Sequence, residues 1–167
     1  MPDSNAPQAL QDRYAPKNRC FGCGPSNEKG LRLKSVPPAP GAPGSDGTGE
    51  VLCEWNPEAH HEAFEGMLNG GICGALLDCH SNWTAAWHLM HKASHSIPPC
   101  TVTAEFHVKL KKPTPTNQTL LIRAKVVESS ERKAVVEATL EAAGVVTTTC
   151  RGIFVAVREG HPAYHRW

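Results

Sequence analysis

The stretch NGGICGALLDCHSNWTAAWHLM, residues 69–90, contains the strongest helical pattern in the chain. Its apolar side chains recur at three- or four-residue steps, as one face of a helix requires. These side chains are Ile72, Leu76, Cys79, Trp83, Trp87 and Met90. Two glycines begin the pattern and Pro98-Pro99 follows it, so the sequence predicts one long central helix.

Around this helix the period of the pattern changes from about 3.6 to two. Residues 101–112, TVTAEFHVKLKK, alternate apolar and polar side chains and form the clearest predicted strand. Similar patterns occupy residues 51–56, 118–128 and 132–142, and a β-branched run occupies residues 145–157. A sheet of this kind has one apolar face that the helix can cover. We therefore predict an α+β fold in which an antiparallel sheet of about five to six strands wraps around one long central helix.

Length and charge exclude several classes of protein. A chain of 167 residues predicts one domain, and a formal net charge of +1 gives no general attraction to nucleic acid. No apolar run approaches the roughly 18 residues of a membrane span, and the amino terminus lacks a signal-peptide pattern. We expect a cytoplasmic protein without nucleic-acid partners or membrane insertion.

Prolines and glycines indicate the domain limits. Residues 1–19 contain three prolines and are expected to form a poorly ordered lead-in. A single domain is expected over residues 20–160, with a Pro/Gly-rich loop at 35–49 and a tail at 161–167.

The start of the helix has the groups needed to polarise a carbonyl. Gly70 and Gly71 let another molecule approach the backbone, and the first-turn N–H groups have no partner within the helix. The helix dipole adds partial positive charge, so these donors suit an oxyanion. A tight entry turn is the alternative interpretation of the two glycines.

Asp78 is the second feature of the helix. A carboxylate within such an apolar helix is costly to bury without a purpose. It shares one helical face with small or polar residues, on which substrate or a second chain could pack: Gly71, Gly74, Ser81, Asn82 and Ala85. A local hydrogen bond to Ser81 or Asn82 is the alternative.

Seven residues place Asp78 about 10 Å along the axis from Gly71, so joint action on one bond requires a second subunit with an antiparallel helix.

Four motifs, in order, resemble the PaaI-type acyl-CoA thioesterases of the hotdog superfamily. They are CFGCGPSNEKGLRLK (20–34), GMLNGGICGALLD (66–78), TAEFHVKLKKPTP (103–115) and RGIFVAV (151–157). The family has an acidic residue seven positions after the second glycine of a His-Gly-Gly, and this chain has the same spacing with Asn69 in place of the histidine. The resemblance implies a hotdog fold and hydrolysis of acyl-CoA to a free acid and CoA, with no further cofactor.

The resemblance also implies roles for individual residues. Gly71 N–H is expected to bind the thioester carbonyl, Asp78 to act as nucleophile or general base, and Thr103 to assist near the acid. Asn69 can still cap the helix. A homodimer, or a dimer of dimers, is expected.

Further residues are candidates for substrate binding. They are Gly70, Ser81 and Asn82 on the helix, with Lys112 and Arg132 for the CoA phosphates. Lys109, Lys111 and Lys133 are further candidates, and a solvated surface cation is the simpler interpretation of each of these five residues.

Cys20 and Cys23 have the spacing of half a zinc site, but the sequence contains no second CxxC. We predict a structural turn and no metal. The histidines at 80, 88, 91 and 95 are interpreted as an exposed helix end rather than a ligand set.

Two other functions remain open. A non-catalytic acyl-CoA-binding module on the same fold would account for Asn69. A hotdog hydratase is disfavoured, because no downstream histidine is suitably placed after Asp78.

Overall fold

The computed structural model describes residues 7–167, and the first six residues of the predicted lead-in lie outside this range. Within it the chain forms two α-helices and seven β-strands. The elements are α1 (Leu10–Tyr14), β1 (Val51–Trp55), β2 (Glu62–Phe64), β3 (Met67–Leu68), α2 (Gly70–Lys92), β4 (Thr101–Leu110), β5 (Leu120–Ser129), β6 (Lys133–Ala142) and β7 (Val145–Ala156).

Five strands form one antiparallel sheet in the order β1-β5-β6-β7-β4. The β2 and β3 strands form a small separate ribbon immediately before α2. At the β6–β7 turn Ala143 and Gly144 both have positive φ, the geometry that matches the twist of a tight hairpin. The predicted fold class is confirmed, and the predicted bounds of α2 and of the five main strands agree within two residues.

Helix α2 packs against the sheet through β4, β5, β6 and β7. Leu76, Trp83, Trp87 and Met90 are buried, as the apolar pattern predicts. Trp83 contacts Cys23 and Trp167, outside the sheet. From His80 to Trp87 every residue is buried. The second half of the helix is therefore covered on its outer side as well, and its polar side chains are not available to solvent.

The amino-terminal segment provides part of this cover, which corrects the predicted lead-in over residues 7–19. Leu10 and Gln11 are 2% and 1% exposed. Gln11 Nε2 donates to Ser35 Oγ at 2.9 Å, and its Oε1 accepts from Ser35 N–H at 2.8 Å. These buried hydrogen bonds and the packing of Leu10 give the segment a fixed position, which the prolines around it concealed.

The predicted carboxy-terminal tail is also packed onto the domain. The Trp167 ring stacks on the buried Trp83 ring with centroids 4.6 Å apart, and Trp167 Nε1–H donates to Pro98 O at 3.2 Å. Trp167 therefore extends the hydrophobic core.

The histidines of α2 do not form one exposed helix end. His80 is fully buried, with Nδ1 2.8 Å from Ser35 Oγ and Nε2 3.0 Å from Val51 O. His88 lies 2.8 Å from Gly47 O and so contacts the Pro/Gly-rich loop. His95 is exposed, as predicted. Within residues 7–167 no helix is long and apolar enough to cross a membrane.

Candidate active site

Asn69 caps the start of α2. Its Oδ1 accepts from Gly71 N–H at 2.8 Å and from Ile72 N–H at 3.3 Å. The N–H that we predicted to bind a substrate carbonyl is therefore held by an exposed side chain of the same chain. Asn69 is a true N-cap, and a ligand at Gly71 has to displace its amide oxygen.

This cap supports a prediction about stability. Replacing Asn69 by Ala is expected to lower the free energy of unfolding by about 1 kcal/mol, because two first-turn N–H groups lose their acceptor. Asn69→Asp keeps an acceptor at the cap and should stay close to wild type. Urea denaturation followed by circular dichroism measures both. Equal stability of Asn69→Ala and the wild type would contradict the observed cap.

Gly70 has a packing role at the same site. A Cβ atom at this position would lie 2.9 Å from Leu110 Cδ1. Glycine thus lets the start of α2 contact the end of β4, which places the helix start beside the Lys111-Lys112 segment.

Asp78 and Thr103 are brought together by the tertiary structure. Thr103 Oγ1–H donates to Asp78 Oδ1 at 2.6 Å, and both side chains are half-buried. The register of β4 against β7 shifts between Thr103 and Glu105, and a bulge of this kind changes the direction of nearby side chains. Thr103 is therefore placed at the acid, where the sequence analysis expected it.

The surroundings of Asp78 act on its pKa in both directions. Burial raises the pKa of the Asp78 carboxyl above its ordinary value, whereas the Thr103 hydrogen bond and the positive charge of Arg166 oppose this shift. A raised pKa makes the carboxylate a stronger base, which suits removal of a proton from water.

Loss of the Thr103 hydroxyl is expected to affect turnover through Asp78. For the thioester hydrolysis that the resemblance implies, Thr103→Val should lower kcat by about tenfold or more, since a hydrogen bond to a charged group contributes about 1.5–3 kcal/mol. Thr103→Ser, which retains the hydroxyl, should recover most of the rate. Steady-state kinetics on purified variants with matched melting temperatures measures this. An unchanged kcat in Thr103→Val would remove Thr103 from the site.

The polar face of α2 divides into an open half and a closed half. Among the described residues, no heavy atom beyond the adjacent residues and the nearby backbone of α2 lies within 4 Å of a Cβ placed at Gly74. Asp78 remains partly accessible on the same face. Ser81 and Asn82 are buried, and Thr101 Oγ1–H donates to Asn82 Oδ1 at 2.6 Å. The burial of both side chains contradicts their predicted contact with substrate. Asn82 instead joins α2 to the first residue of β4.

The predicted cation Lys112 lies beside the helix start. It lines a cavity of about 300 Å³ together with Gly70, and the walls include Phe64, Met67 and Leu110. The sequence does not reveal the role of the β2–β3 ribbon, because its strands are too short to show an alternating pattern. Trp83 and Trp87 belong to the core and not to this cavity.

Arg132 lies at the other end of the molecule. Its Nη2–H donates to Ala156 O at 2.6 Å, and it lines a cleft with Leu89 and Trp167. Leu89 is about 28 Å along the α2 axis from Gly70. Within one chain, Arg132 and Lys112 cannot bind the same phosphate.

Comparison with known proteins agrees with the observed fold. The sequence-family model of the thioesterase superfamily matches residues 65–149, slightly more than half of the chain. The chain therefore belongs to the thioesterase superfamily, and its five-stranded antiparallel sheet around one long helix is a hotdog fold. No curated protein matches the sequence.

Solved structures of this superfamily have the same architecture. A thioesterase superfamily protein from Shewanella loihica PV-4 is 26% identical, with 89% of this chain and 99% of that chain covered and a TM-score of 0.61. A putative thioesterase from Ralstonia eutropha JMP134, described as phenylacetic acid degradation-related, is 16% identical, with 75% and 86% covered and a TM-score of 0.59. Zebrafish thioesterase superfamily member 2 is 19% identical, with 79% and 90% covered and a TM-score of 0.59.

Proposed function

We propose that this protein hydrolyses an acyl-CoA thioester to a free carboxylic acid and CoA, in a site shared by two copies of the chain. The observation that carries the proposal is the hydrogen bond from Thr103 Oγ1 to Asp78 Oδ1 on the open half of a helix that begins with two glycines. Membership of the thioesterase superfamily supports thioester hydrolysis in general, and the residues of this site support the finer assignment.

The carbonyl group of the thioester binds at the start of α2. Its oxygen displaces the exposed Asn69 amide oxygen and accepts from Gly71 N–H, where the helix dipole stabilises developing negative charge. The exchange substitutes one hydrogen bond for another, so its net cost is at most about 1 kcal/mol.

Asp78 of the second chain acts as the base. The carboxylate takes a proton from water, and the water oxygen attacks the carbonyl carbon. The tetrahedral intermediate then collapses, the C–S bond breaks, and CoA leaves as the thiolate and takes up a proton. Direct attack by the carboxylate, through an anhydride that water then hydrolyses, is the other course open to the same residue.

The β4 strand is the surface that we assign to the dimer. It is at one edge of the sheet and pairs only with β7 among the described strands. Phe106 and Leu110 on this strand are 41% and 59% exposed. Pairing of two β4 edges about a two-fold axis would cover these side chains and set two α2 helices antiparallel.

Lys111 and Lys112 are the cations that we assign to the CoA phosphates, since both line the cavity beside Gly70. The apolar walls of this cavity at Phe64, Met67 and Leu110 suit a pantetheine arm or an acyl chain.

The test is turnover of an acyl-CoA panel that includes aryl, short-chain and long-chain thioesters. Chromatographic measurement of both CoA and free acid avoids thiol reagents, which would also react with the seven cysteines of the protein. Equal release of the two products above the uncatalysed rate supports hydrolysis. Absence of turnover across the panel would refute the proposed activity.

A non-catalytic acyl-CoA-binding module is the second candidate. The capped Gly71 N–H favours it, because the chain itself occupies the proposed oxyanion donor. Isothermal titration with a non-hydrolysable thioether analogue of acyl-CoA distinguishes the two. Stoichiometric binding of the analogue, with no turnover of any matching thioester, would select the binding module.

A further inference from the structure

Three cysteine sulfur atoms converge beside the proposed site. Cys20 and Cys23 come from the loop after α1, and Cys79 comes from the α2 helix. The three Sγ atoms all lie within 4.8 Å of one another, and those of Cys20 and Cys79 are 3.7 Å apart. Cys79 adds a third possible metal ligand, which the spacing of Cys20 and Cys23 in the sequence could not indicate.

These distances suit a tetrahedral metal centre. With a Zn–S bond of about 2.3 Å, two sulfur ligands at neighbouring corners of a tetrahedron lie about 3.8 Å apart. The observed separation of the Cys20 and Cys79 sulfur atoms is close to this value. The Cys23 sulfur lies within 4.8 Å of the other two, so it is at most about 1 Å beyond the separation that a third corner requires.

The loop CFGCG, residues 20–24, is shaped to present its sulfur atoms. Gly24 N–H donates to Cys20 O at 2.9 Å and closes the turn. Contacts with the Cys23 and Cys79 thiols, and to a smaller extent with the N–H groups of Cys23 and Gly22, lower the pKa of the Cys20 thiol. A Cβ at Gly24 would lie 2.4 Å from Cys20 N, so the turn requires glycine there. Backbone N–H groups directed at a sulfur atom stabilise a thiolate ligand.

The CFGCG loop packs closely against α2 at Cys79. A Cβ at Gly22 would lie 2.3 Å from Cys79 Sγ, so glycine is needed for the close approach. Trp83 Nε1–H donates to Cys23 Sγ at 3.3 Å. Each sulfur atom thus has a fixed neighbour. Contact with the Cys20 thiol, together with burial, raises the pKa of the Cys23 and Cys79 thiols, so a bound cation has to displace their protons.

We propose that Cys20, Cys23 and Cys79 form a binding site for one thiophilic divalent cation, of which Zn²⁺ is the test case. The three thiolates occupy three corners of a tetrahedron. No fourth Cys, His, Asp or Glu ligand atom joins the cluster in the part of the chain that the structure describes. The fourth corner is open to water, because Cys20 is only partly buried.

This site differs from the proposed active site. Its role is to tie the amino-terminal segment to α2 one residue after Asp78, and its test does not depend on turnover. Failure of the metal proposal would therefore leave the hydrolytic proposal untouched, and the reverse is also true.

The experiment measures metal stoichiometry and ligand chemistry on the full chain, purified under a phosphine reductant. Zinc content is measured by plasma mass spectrometry, and affinity by competition with a chromophoric chelator. Addition of Co²⁺ then reports the ligands, since thiolate sulfur gives intense charge-transfer bands and tetrahedral geometry gives strong visible bands. We expect one equivalent per chain with both spectral features. Substoichiometric zinc without these bands would overturn the proposal.

Cysteine variants assign the ligands. Cys79→Ser should weaken zinc affinity by at least about 100-fold, since a lost ligand has a larger effect than a lost outer-shell contact. Cys100→Ser is the matched control, because Cys100 is also partly buried but is not in the cluster. Unchanged affinity in Cys79→Ser would contradict the site.

A measurement on the unsubstituted chain guards against a variant that fails to fold. Zinc should protect Cys20, Cys23 and Cys79 from maleimide, as mapped by peptide mass spectrometry, and should leave Cys100 as reactive as before. Protection of a different set of cysteines would refute the site. So would an isolated protein with a disulfide between two of the three cysteines that the reductant does not open.

Discussion

Replacing Asp78 by Asn is expected to lower kcat for acyl-CoA hydrolysis by about 10²–10⁴-fold, the range that a general base contributes. Asparagine has nearly the same shape and can still accept the Thr103 hydrogen bond of 2.6 Å, so the fold should be retained. It cannot take a proton from water at neutral pH. Steady-state kinetics on the best thioester of the panel measures the loss, with melting temperature as the check on folding.

Asp46→Asn is the matched control for this prediction. Asp46 is a fully exposed carboxylate in the Pro/Gly-rich loop, hydrogen-bonded to Thr48. The same change of charge there should leave kcat within about twofold of the wild type. The loop that contains Asp46 contacts α2 at His88, far from the helix start. A wild-type rate in Asp78→Asn would show that another group activates the water.

Mixing two inactive variants is expected to restore activity if the site is shared between chains. Gly71→Pro removes the N–H that we assign to the carbonyl, and proline is tolerated in the first turn of a helix. In a dimer of one Gly71→Pro chain and one Asp78→Asn chain, one of the two sites has both native groups. The purified mixed dimer should therefore recover about half of the wild-type rate per dimer.

The mixed dimer is isolated with two different affinity tags, and each homodimer is assayed in parallel. Both homodimers should remain at least about 100-fold below the wild type. A mixed dimer as inactive as its parents would indicate that Gly71 and Asp78 do not serve one carbonyl from two chains. The chemistry would then require either a different oxyanion donor near Asp78 or a different acid near Gly71.

The capped helix start affects how these results are interpreted. Asn69 already satisfies Gly71 N–H at 2.8 Å, so substrate binding and displacement of the cap are coupled. Loss of the cap in Asn69→Ala should destabilise the fold, yet it also leaves Gly71 N–H free for a ligand. The free energy of unfolding and KM are therefore both expected to fall, and a purely structural role for Asn69 would not lower KM.

The amino-terminal segment and the carboxy-terminal tail also affect the pKa of Asp78. Asn18 Nδ2–H donates to Arg166 O at 3.4 Å, which joins the amino-terminal segment to the tail. Arg166 in turn lowers the pKa of Asp78, against the larger effect of burial. Segments that composition predicted to lie outside the domain thus cover the second half of α2 and influence the charge of its acid.

The sequence alone determined the architecture and the main chemical candidates. Local periodicity decides which backbone segments become helix or strand, because a side chain every 3.6 or every 2 residues has to reach one apolar interior. It therefore located α2 and the five main strands. It also identified Asp78, since a carboxylate in an apolar helix is visible without coordinates, and the spacing from Gly71 argued for a second chain.

The tertiary structure decided everything that depends on contacts between distant segments. It placed Thr103 on Asp78, buried Ser81 and Asn82, and separated Arg132 from Lys112. It also brought Cys79 to Cys20 and Cys23 across most of the first half of the chain. Such contacts depend on how the sheet, the helix and the chain ends pack in three dimensions, and residue spacing along one chain does not contain that information.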